Sequence, residues 1–474
     1  MKTIFFYIST GFVAKNVLQT DIFKYLKKQK NLRIVLFAPG EKAEYYQKSM
    51  GRENVIVESI PESFRSSIFE YYYWLTARSS IHTCSASIYQ YRDYFLDKRH
   101  NIFHKKLLFL LRRVSWFFGQ FNFWRRILGA VYPIFFKKTF SAYFEKYNPD
   151  LVYLFGLFKS QEWLLLKEAK NRKIKTIYSV AGWDNPTTKI YLPIFPDYIL
   201  AQNNIVKDEL ARYSLFPKER IYAVGYPQYD RYFKKTDIIE KGAFLKKIKA
   251  ESDKKIILYG MINPKNFSNE INILKLIDEF IRTNGLEDEW QVLIRPYPSQ
   301  AGQKYREEEL ARRNKNFIFD YTVVTLIKSK YFEFSEDDST HLANSLYHAD
   351  IVIAASSTIL MEAAIFNKPI INIGFSGEKE NRLDYYSSPR RYLDFLHIKN
   401  LSSGNKLINT RNKEDLFKAM KRYTQDLSLD SEKREAIVKT QCLRPNGDSG
   451  LFTANTILKI INKDYINHGN SRRV

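Results

Sequence analysis

Ala349-Asp350-Ile351-Val352-Ile353-Ala354-Ala355-Ser356-Ser357-Thr358-Ile359-Leu360-Met361-Glu362-Ala363-Ala364-Ile365-Phe366-Asn367-Lys368-Pro369-Ile370-Ile371-Asn372-Ile373-Gly374 is the stretch that decides the fold. Ile351 to Ala355 is a short apolar run that reads as a strand buried on both faces. Ser356, Ser357 and Thr358 interrupt it with hydroxyls suited to a helix N-cap. Leu360, Ala363, Ala364 and Phe366 give a short helix that Asn367-Lys368-Pro369 ends, and Ile370 to Ile373 is a second β-branched strand. Strand, polar turn, helix and parallel strand form a βαβ unit.

A helix start presents backbone N–H groups and the positive end of a dipole, which favour an anion. The three hydroxyls add donors. Glu362 follows one turn into the helix, from where its carboxylate can accept hydrogen bonds from a ribose diol. The plainer alternative is a capped core helix with a solvated Glu362. The same stretch resembles the donor-nucleotide element of GT-B glycosyltransferases. It is most similar to the bacterial surface-polysaccharide branch that includes the CDP-glycerol glycerophosphotransferases. That resemblance implies two Rossmann-like, doubly wound α/β domains facing a cleft, with Ser356, Ser357 and Thr358 on the donor pyrophosphate and Glu362 on the ribose. Similar units occur in UDP-N-acetylglucosamine 2-epimerases, the rival activity. Retaining GT-B enzymes often carry two glutamates eight positions apart around this helix. Here Ala354 and Ile370 stand in the flanking places, which points to inversion.

The chain has 474 residues, more than one core usually supports, so two domains are expected. A net charge of +24 calls for a polyanionic partner: nucleic acid, an anionic membrane or phosphorylated ligands. Two cysteines, Cys84 and Cys442, make neither a disulfide framework nor a metal cluster and fit a reducing cytoplasm. The apolar run Ile4 to Ile8 is too short for a signal peptide and reads as a first strand.

Strand Ile4–Ile8 leads through Thr10-Gly11 into a helical pattern at Val13, Val17, Leu18, Ile22 and Leu26. Leu32 to Phe37 and Val55 to Ile60 are further strands, so the N-terminal half is doubly wound. Ligands in such sheets bind beyond the carboxyl ends of the strands, which places Gly11 on the cleft. Residues 61–147 interrupt this alternation as a helical insert. From Lys98 to Lys138 there are ten basic residues and no acidic ones, interleaved with Trp116-Phe117-Phe118, Phe121 and Phe123-Trp124. No apolar run there is long enough to span a bilayer. Lys and Arg heads meeting phosphates while Trp and Phe enter the headgroup boundary describe a helix on an anionic membrane surface. Core-packing helices with a basic solvent face are the alternative. Nucleic-acid binding is not expected, because no recognisable motif or basic tail accompanies the charge.

Thr176 to Val180 ends in Ala181-Gly182-Trp183-Asp184-Asn185-Pro186-Thr187-Thr188-Lys189, a loop that should face the cleft. A carboxylate beside Trp183 in a partly dry cleft would have a raised pKa and suit Asp184 as a general base. An Asx-turn explains Asp184 equally. The surface-polysaccharide relatives carry a similar Trp-Asp-Asn loop with a following lysine, which implies cleft roles for Trp183 and Asn185 and a phosphate contact for Lys189. Gly225-Tyr226-Pro227-Gln228-Tyr229-Asp230 resembles their interdomain hinge, and Lys234 to Lys255 reads as a linker. Arg295-Pro296-Tyr297-Pro298 matches an Arg/Lys-Pro-His-Pro stretch of the relatives, with Tyr297 in place of histidine. Arg295 remains a candidate phosphate clamp. Glu336-Asp337-Asp338 reads as an acidic loop before a helix from Leu342 to His348, without need of a metal. Glu378, Glu380 and Arg382 are candidates for lining the donor site.

The organisation expected is an acceptor domain at 1–230, a linker at 231–255, a nucleotide-donor domain at 256–445, and a last helix from 446 crossing back onto the first domain. The activity expected is metal- and cofactor-free transfer of a sugar or polyol phosphate from a nucleotide-activated donor to a membrane-linked glycan, on the inner face of the cytoplasmic membrane. The alternatives are an epimerase, which needs no acceptor, and a non-catalytic membrane- or RNA-binding protein.

Overall fold

The computed structural model describes residues 1–462, apart from Ser9 and 61–67, 98–99, 133–139, 158–159, 265, 268, 298–313, 321–323, 328–330 and 378–383. The expectations for Lys98, Lys137, Lys138, Glu378, Glu380 and Arg382, and for the run from Pro133 to Phe136, lie outside the described residues.

Seven parallel strands form the first sheet: β1 (Lys2–Tyr7), β2 (Leu32–Pro39), β3 (Val55–Ile60), β4 (Leu151–Phe155), β5 (Lys175–Ser179), β6 (Tyr198–Ala201) and β7 (Ile221–Ala223), in the order β3-β2-β1-β4-β5-β6-β7. The second sheet is built from β8 (Lys255–Gly260), β9 (Trp290–Arg295), β10 (Phe317–Phe319), β13 (Ile351–Ala354), β14 (Ile370–Ile373) and β15 (Ile408–Thr410), in the order β10-β9-β8-β13-β14-β15. A separate antiparallel hairpin joins β11 (Val324–Ile327) and β12 (Tyr331–Phe334). Both large sheets reverse direction of growth at their first strand, β1 or β8, the doubly wound pattern that leaves a crevice at the carboxyl ends. The central strands are buried on both faces, which is why they read as continuous apolar runs.

Two local expectations differ. The pattern from Val13 to Leu26 is not one helix: Gly11–Val13 is α-helical, Ala14–Leu18 is a π-helix, and a new helix starts at Asp21. Glu336-Asp337-Asp338 is not a loop but the first turn of helix Glu336–His348, capped by the Ser335 hydroxyl accepting from the Asp338 N–H at 2.9 Å. Three acids beside the positive helix end explain themselves electrostatically.

The hinge is tightly built. Gly225 takes φ +95°, and a Cβ there would lie 2.3 Å from Ser449 Oγ. Asp230 accepts from the Ser449 and Gly450 N–H groups at 3.0 and 2.7 Å, capping helix Ser449–Asn462. Ala454, Ile457, Ile460 and Ile461 of that helix are buried among Ile22, Leu26 and Ile4, so the chain's last described helix packs on the first sheet's layer.

Helices Ile102–Phe118 and Asn122–Val131 are inside out. Ile102, Phe103, Leu107, Leu110, Leu111, Val114, Phe117, Phe121, Phe123 and Ile127 are exposed, Phe103 by 76% and Ile102 by 62%. Lys105, Arg112, Arg113 and Arg125 are drawn inward, while Lys106 and Arg126 stay exposed beside the apolar face. Arg112 donates to Asp93 Oδ2 at 3.0 Å and Ser79 Oγ at 3.1 Å, and Arg113 donates to Ser87 Oγ while stacking on Trp116. Lys105 Nζ meets the Asp97 carbonyl at 2.9 Å. The Trp116 and Trp124 indoles donate to the Thr83 carbonyl and to Ser115 Oγ. The sequence suggested basic heads and tryptophans facing outward; an α-helical period locates two faces without saying which is the outer one.

Candidate active site

Gly260, at the end of β8, lets the 351–374 unit close down: a Cβ there would sit 2.8 Å from Ile359 Cδ1. The turn after β13 is held from the neighbouring strands. Ser356 adopts φ +46°, uncommon for a residue with a side chain, and its N–H and hydroxyl both donate to Asn372 Oδ1 at 2.7 and 3.2 Å. Asn372 in turn donates to Asn409 Oδ1 at 2.7 Å, so an amide ladder across β14 and β15 sets the turn. Thr358, the N-cap residue of helix Ile359–Ile365, makes no side-chain cap bond, and the Ser357 hydroxyl accepts from the Ile359 N–H at 3.5 Å. The exposed Thr358 hydroxyl donates to Glu362 Oε1 at 2.9 Å, and Tyr232 from beyond the hinge donates to Glu362 Oε2 at 2.9 Å. Burial and the Glu362 charge push the Tyr232 phenol well above its ordinary pKa, so it stays a donor. Its ring belongs to the stack Tyr226, Tyr229, Tyr232, with centroids 4.7 and 5.6 Å apart.

A cavity of about 410 Å³ opens there between the two sheets' layers. Phe12, Lys15, Asn16 and Gln19 wall it from the first half, Gln228, Tyr229, Arg231 and Tyr232 from the hinge, and Glu336, Ser339, Thr358 and Glu362 from the second half. Its volume is in the range that takes a small ligand. Ion pairs cross its rim: Lys24 to Glu336 at 3.3 Å and Arg231 to Glu336 at 3.7 Å. Thr358 and Glu362 therefore face an opening between lobes.

Other candidates lie elsewhere. Gly11 is buried at the start of its helical turn, beside the wall residue Phe12. Arg295 is buried, with Nη1 on Asp320 at 3.2 Å and Nη2 on Asp338 at 2.5 Å. Asp184 and Lys189 are not in the cavity wall; they form a 2.6 Å ion pair at a second contact between the halves. There Trp183 packs edge-on against His397 of the second half, with centroids 4.8 Å apart, and Asn185 is buried with its amide toward Asp184 Oδ1 at 2.9 Å. Burial alone would raise the Asp184 pKa, as the sequence suggested, but the Lys189 ammonium outweighs it and the net shift is downward. Burial lowers His397 to about 4, so it is neutral, and its Nδ1 has no hydrogen-bond partner among the described residues. Sequence reading did not single out Arg231, Tyr232 or His397, although the first two directly follow the hinge motif it quoted.

Two Rossmann-like lobes with a ligand-sized cavity at their carboxyl ends define a GT-B transferase fold. Solved structures agree on that fold. The Staphylococcus aureus MnaA–UDP structure aligns over 98% of this chain and 97% of that one, with 14% identity and a TM-score of 0.53. A glycosyltransferase from Rickettsia africae aligns over 97% and 99% at 12% identity and TM-score 0.51. UDP-GlcNAc 2-epimerase from Neisseria meningitidis bound to UDP-GlcNAc aligns over 97% and 100%, also at 12% identity and TM-score 0.51. No curated protein sequence matches the chain. The family model "CDP-Glycerol:Poly(glycerophosphate) glycerophosphotransferase" matches residues 190–459, more than half of the sequence. The chain belongs to that glycerophosphotransferase family, and is a transferase that draws on a nucleotide-activated donor. The 351–374 unit, the hinge and the Arg295 strand all fall inside the matched span.

Proposed function

We propose that this transferase moves glycerol phosphate, or a sugar, from a nucleotide donor to a membrane-linked glycan. Residues 256–445 act as the donor lobe and residues 1–230 as the acceptor lobe. The observation that carries the reading is the interlobe cavity with Thr358, the last residue of the Ser356–Thr358 turn, and Glu362 in its wall. Ser357 and Thr358 take the diphosphate on a turn that Ser356 sets through Asn372. The Glu362 carboxylate takes the ribose diol, exchanging its bond from Thr358 while Tyr232 holds Oε2 in place. With CDP-glycerol as donor, an acceptor hydroxyl oxygen attacks the phosphorus bearing glycerol. The bond from that phosphorus to the bridging oxygen breaks, and CMP leaves with the electron pair. Asp184, ionised and paired with Lys189, is the base for the attacking hydroxyl and Lys189 a phosphate contact; neither lines the cavity, so both act only after a closure that brings their contact to it. Arg295 completes the phosphate field by releasing one of its two carboxylates. Transfer needs no metal or cofactor and, for a sugar donor, inverts.

Among the described residues no helix is long and apolar enough to cross a membrane. The exposed apolar face of helices Ile102–Phe118 and Asn122–Val131 supports a peripheral seat on the inner face of the cytoplasmic membrane, close to a lipid-linked acceptor. Ten outward apolar residues favour this over the epimerase, which needs no membrane, and over nucleic-acid binding, which needs a mainly cationic face. Lys106 and Arg126 are the exposed cations among the described residues of these two helices.

Incubation with CDP-glycerol and a lipid-linked glycerophosphate primer tests the reading: CMP release that depends on primer is expected. Donor isomerisation without primer, or release unaffected by Glu362→Ala, would overturn it.

A further inference from the structure

The π-helix Ala14–Leu18 buries Ala14, Val17 and Leu18 and leaves Lys15 and Asn16 half-buried. A π turn carries an extra residue and rotates what it bears relative to the α register; such turns recur at functional sites. Here it carries Lys15 and Asn16, and both line the cavity across from Thr358 and Glu362. Lys15 is half-buried. Burial lowers its pKa, while the Glu362 and Asp338 carboxylates of the second lobe hold it up. The ammonium of the first lobe thus sits in the field of the second lobe's ligand-facing glutamate. Glu362 and the neutral hydroxyls of the turn bring no positive charge to a diphosphate. Arg231 lies in the wall but is paired with Glu336 and Asp237, and Lys24 and Lys234 are paired with Glu336 and Asp21. Lys15 comes from the wall opposite Glu362.

We infer that Lys15 is the first lobe's contact to the donor diphosphate, so that both lobes grip one ligand. This rests on the donor-site reading above and adds a residue to it.

Equilibrium titration of CDP-glycerol, CMP and cytidine against wild type, Lys15→Met, Lys15→Arg and Glu362→Gln tests it. A charge-assisted contact predicts that Lys15→Met weakens CDP-glycerol roughly 10- to 100-fold, weakens CMP less, and leaves cytidine unchanged. Wild-type affinity for CDP-glycerol should fall as salt rises, and Lys15→Met should flatten that slope. Lys15→Arg should restore most of the affinity. Melting curves of Lys15→Met matching wild type exclude a folding effect. Wild-type affinity and salt slope retained in a folded Lys15→Met protein would overturn the inference while leaving the donor site standing. Failure of wild type to bind any of the three ligands would overturn the donor site itself, and the inference with it. A uniform loss across all three in Glu362→Gln, set against a charge-graded loss in Lys15→Met, separates the two contacts.

Discussion

Glu209 offers a sharp test of how the lobes are held together. It lies on helix Asn204–Tyr213 of the first lobe and is 8% exposed. Oε1 accepts from Asn400 Nδ2 of the second lobe at 2.9 Å, while Oε2 is buried with no partner among the described residues. Burial pushes its pKa from 4.5 up to about 8, with Asp184 adding to the rise and Asn400 opposing it. The folded protein therefore binds a proton there that the unfolded chain has already lost at neutral pH. Because the folded pKa is raised for an acid, stability is greatest below about 4.5 and falls as pH climbs towards about 8. The slope is about 1.4 kcal/mol per pH unit, or at most about 5 kcal/mol across the window. Glu209→Gln keeps the shape and the Asn400 bond but removes the titration. Urea unfolding of both proteins from pH 5 to pH 8.5 should show nearly equal stability at the acid end and a variant more stable by about 3 kcal/mol near pH 8. Parallel stability curves for the two proteins would refute the buried, protonated Glu209.

Tyr232→Phe removes the 2.9 Å bond to Glu362 Oε2 and should weaken donor binding about 3- to 10-fold, read by calorimetric titration, with little loss of fold. Leu110→Asn with Phe117→Asn should abolish flotation with vesicles without lowering the melting temperature, since both side chains are exposed. Because the outward face is apolar, wild-type flotation should survive high salt, in contrast to a purely electrostatic seat. Asp230→Ala strips two N–H partners from helix Ser449–Asn462 and should cost about 2 kcal/mol in denaturant unfolding.

Strands were legible wherever burial on both faces wrote a β-branched run, as in Ile351–Ala354 and Ile370–Ile373. The π turn at Ala14–Leu18 was not, because apolar spacing reports a face and not which carbonyl each N–H meets. The cap at Ser335 was missed, although a serine before three acids is a helix-start signal, because the run of acids reads as a loop before Leu342. The downward Asp184 shift depends on Lys189 folding back five residues, a geometry no spacing rule supplies. Whether the turn's hydroxyls cap a helix or bond Glu362 was likewise a matter of rotamers. The outward apolar face is the largest reversal, since it needed the positions of Asp93, Ser79 and Ser87 to show where the arginines point.

The chain passes between the lobes twice, at the Gly225–Asp230 hinge and again before Ser449, and Asp230 fastens the second passage to the first. Like a door hung on a single post, the second lobe can swing about that post but cannot slide or twist freely. A first lobe severed at residue 230 would lose the helix that shields Ile4, Ile22 and Leu26, and would need residues 449–462 supplied as a separate peptide to stay dissolved.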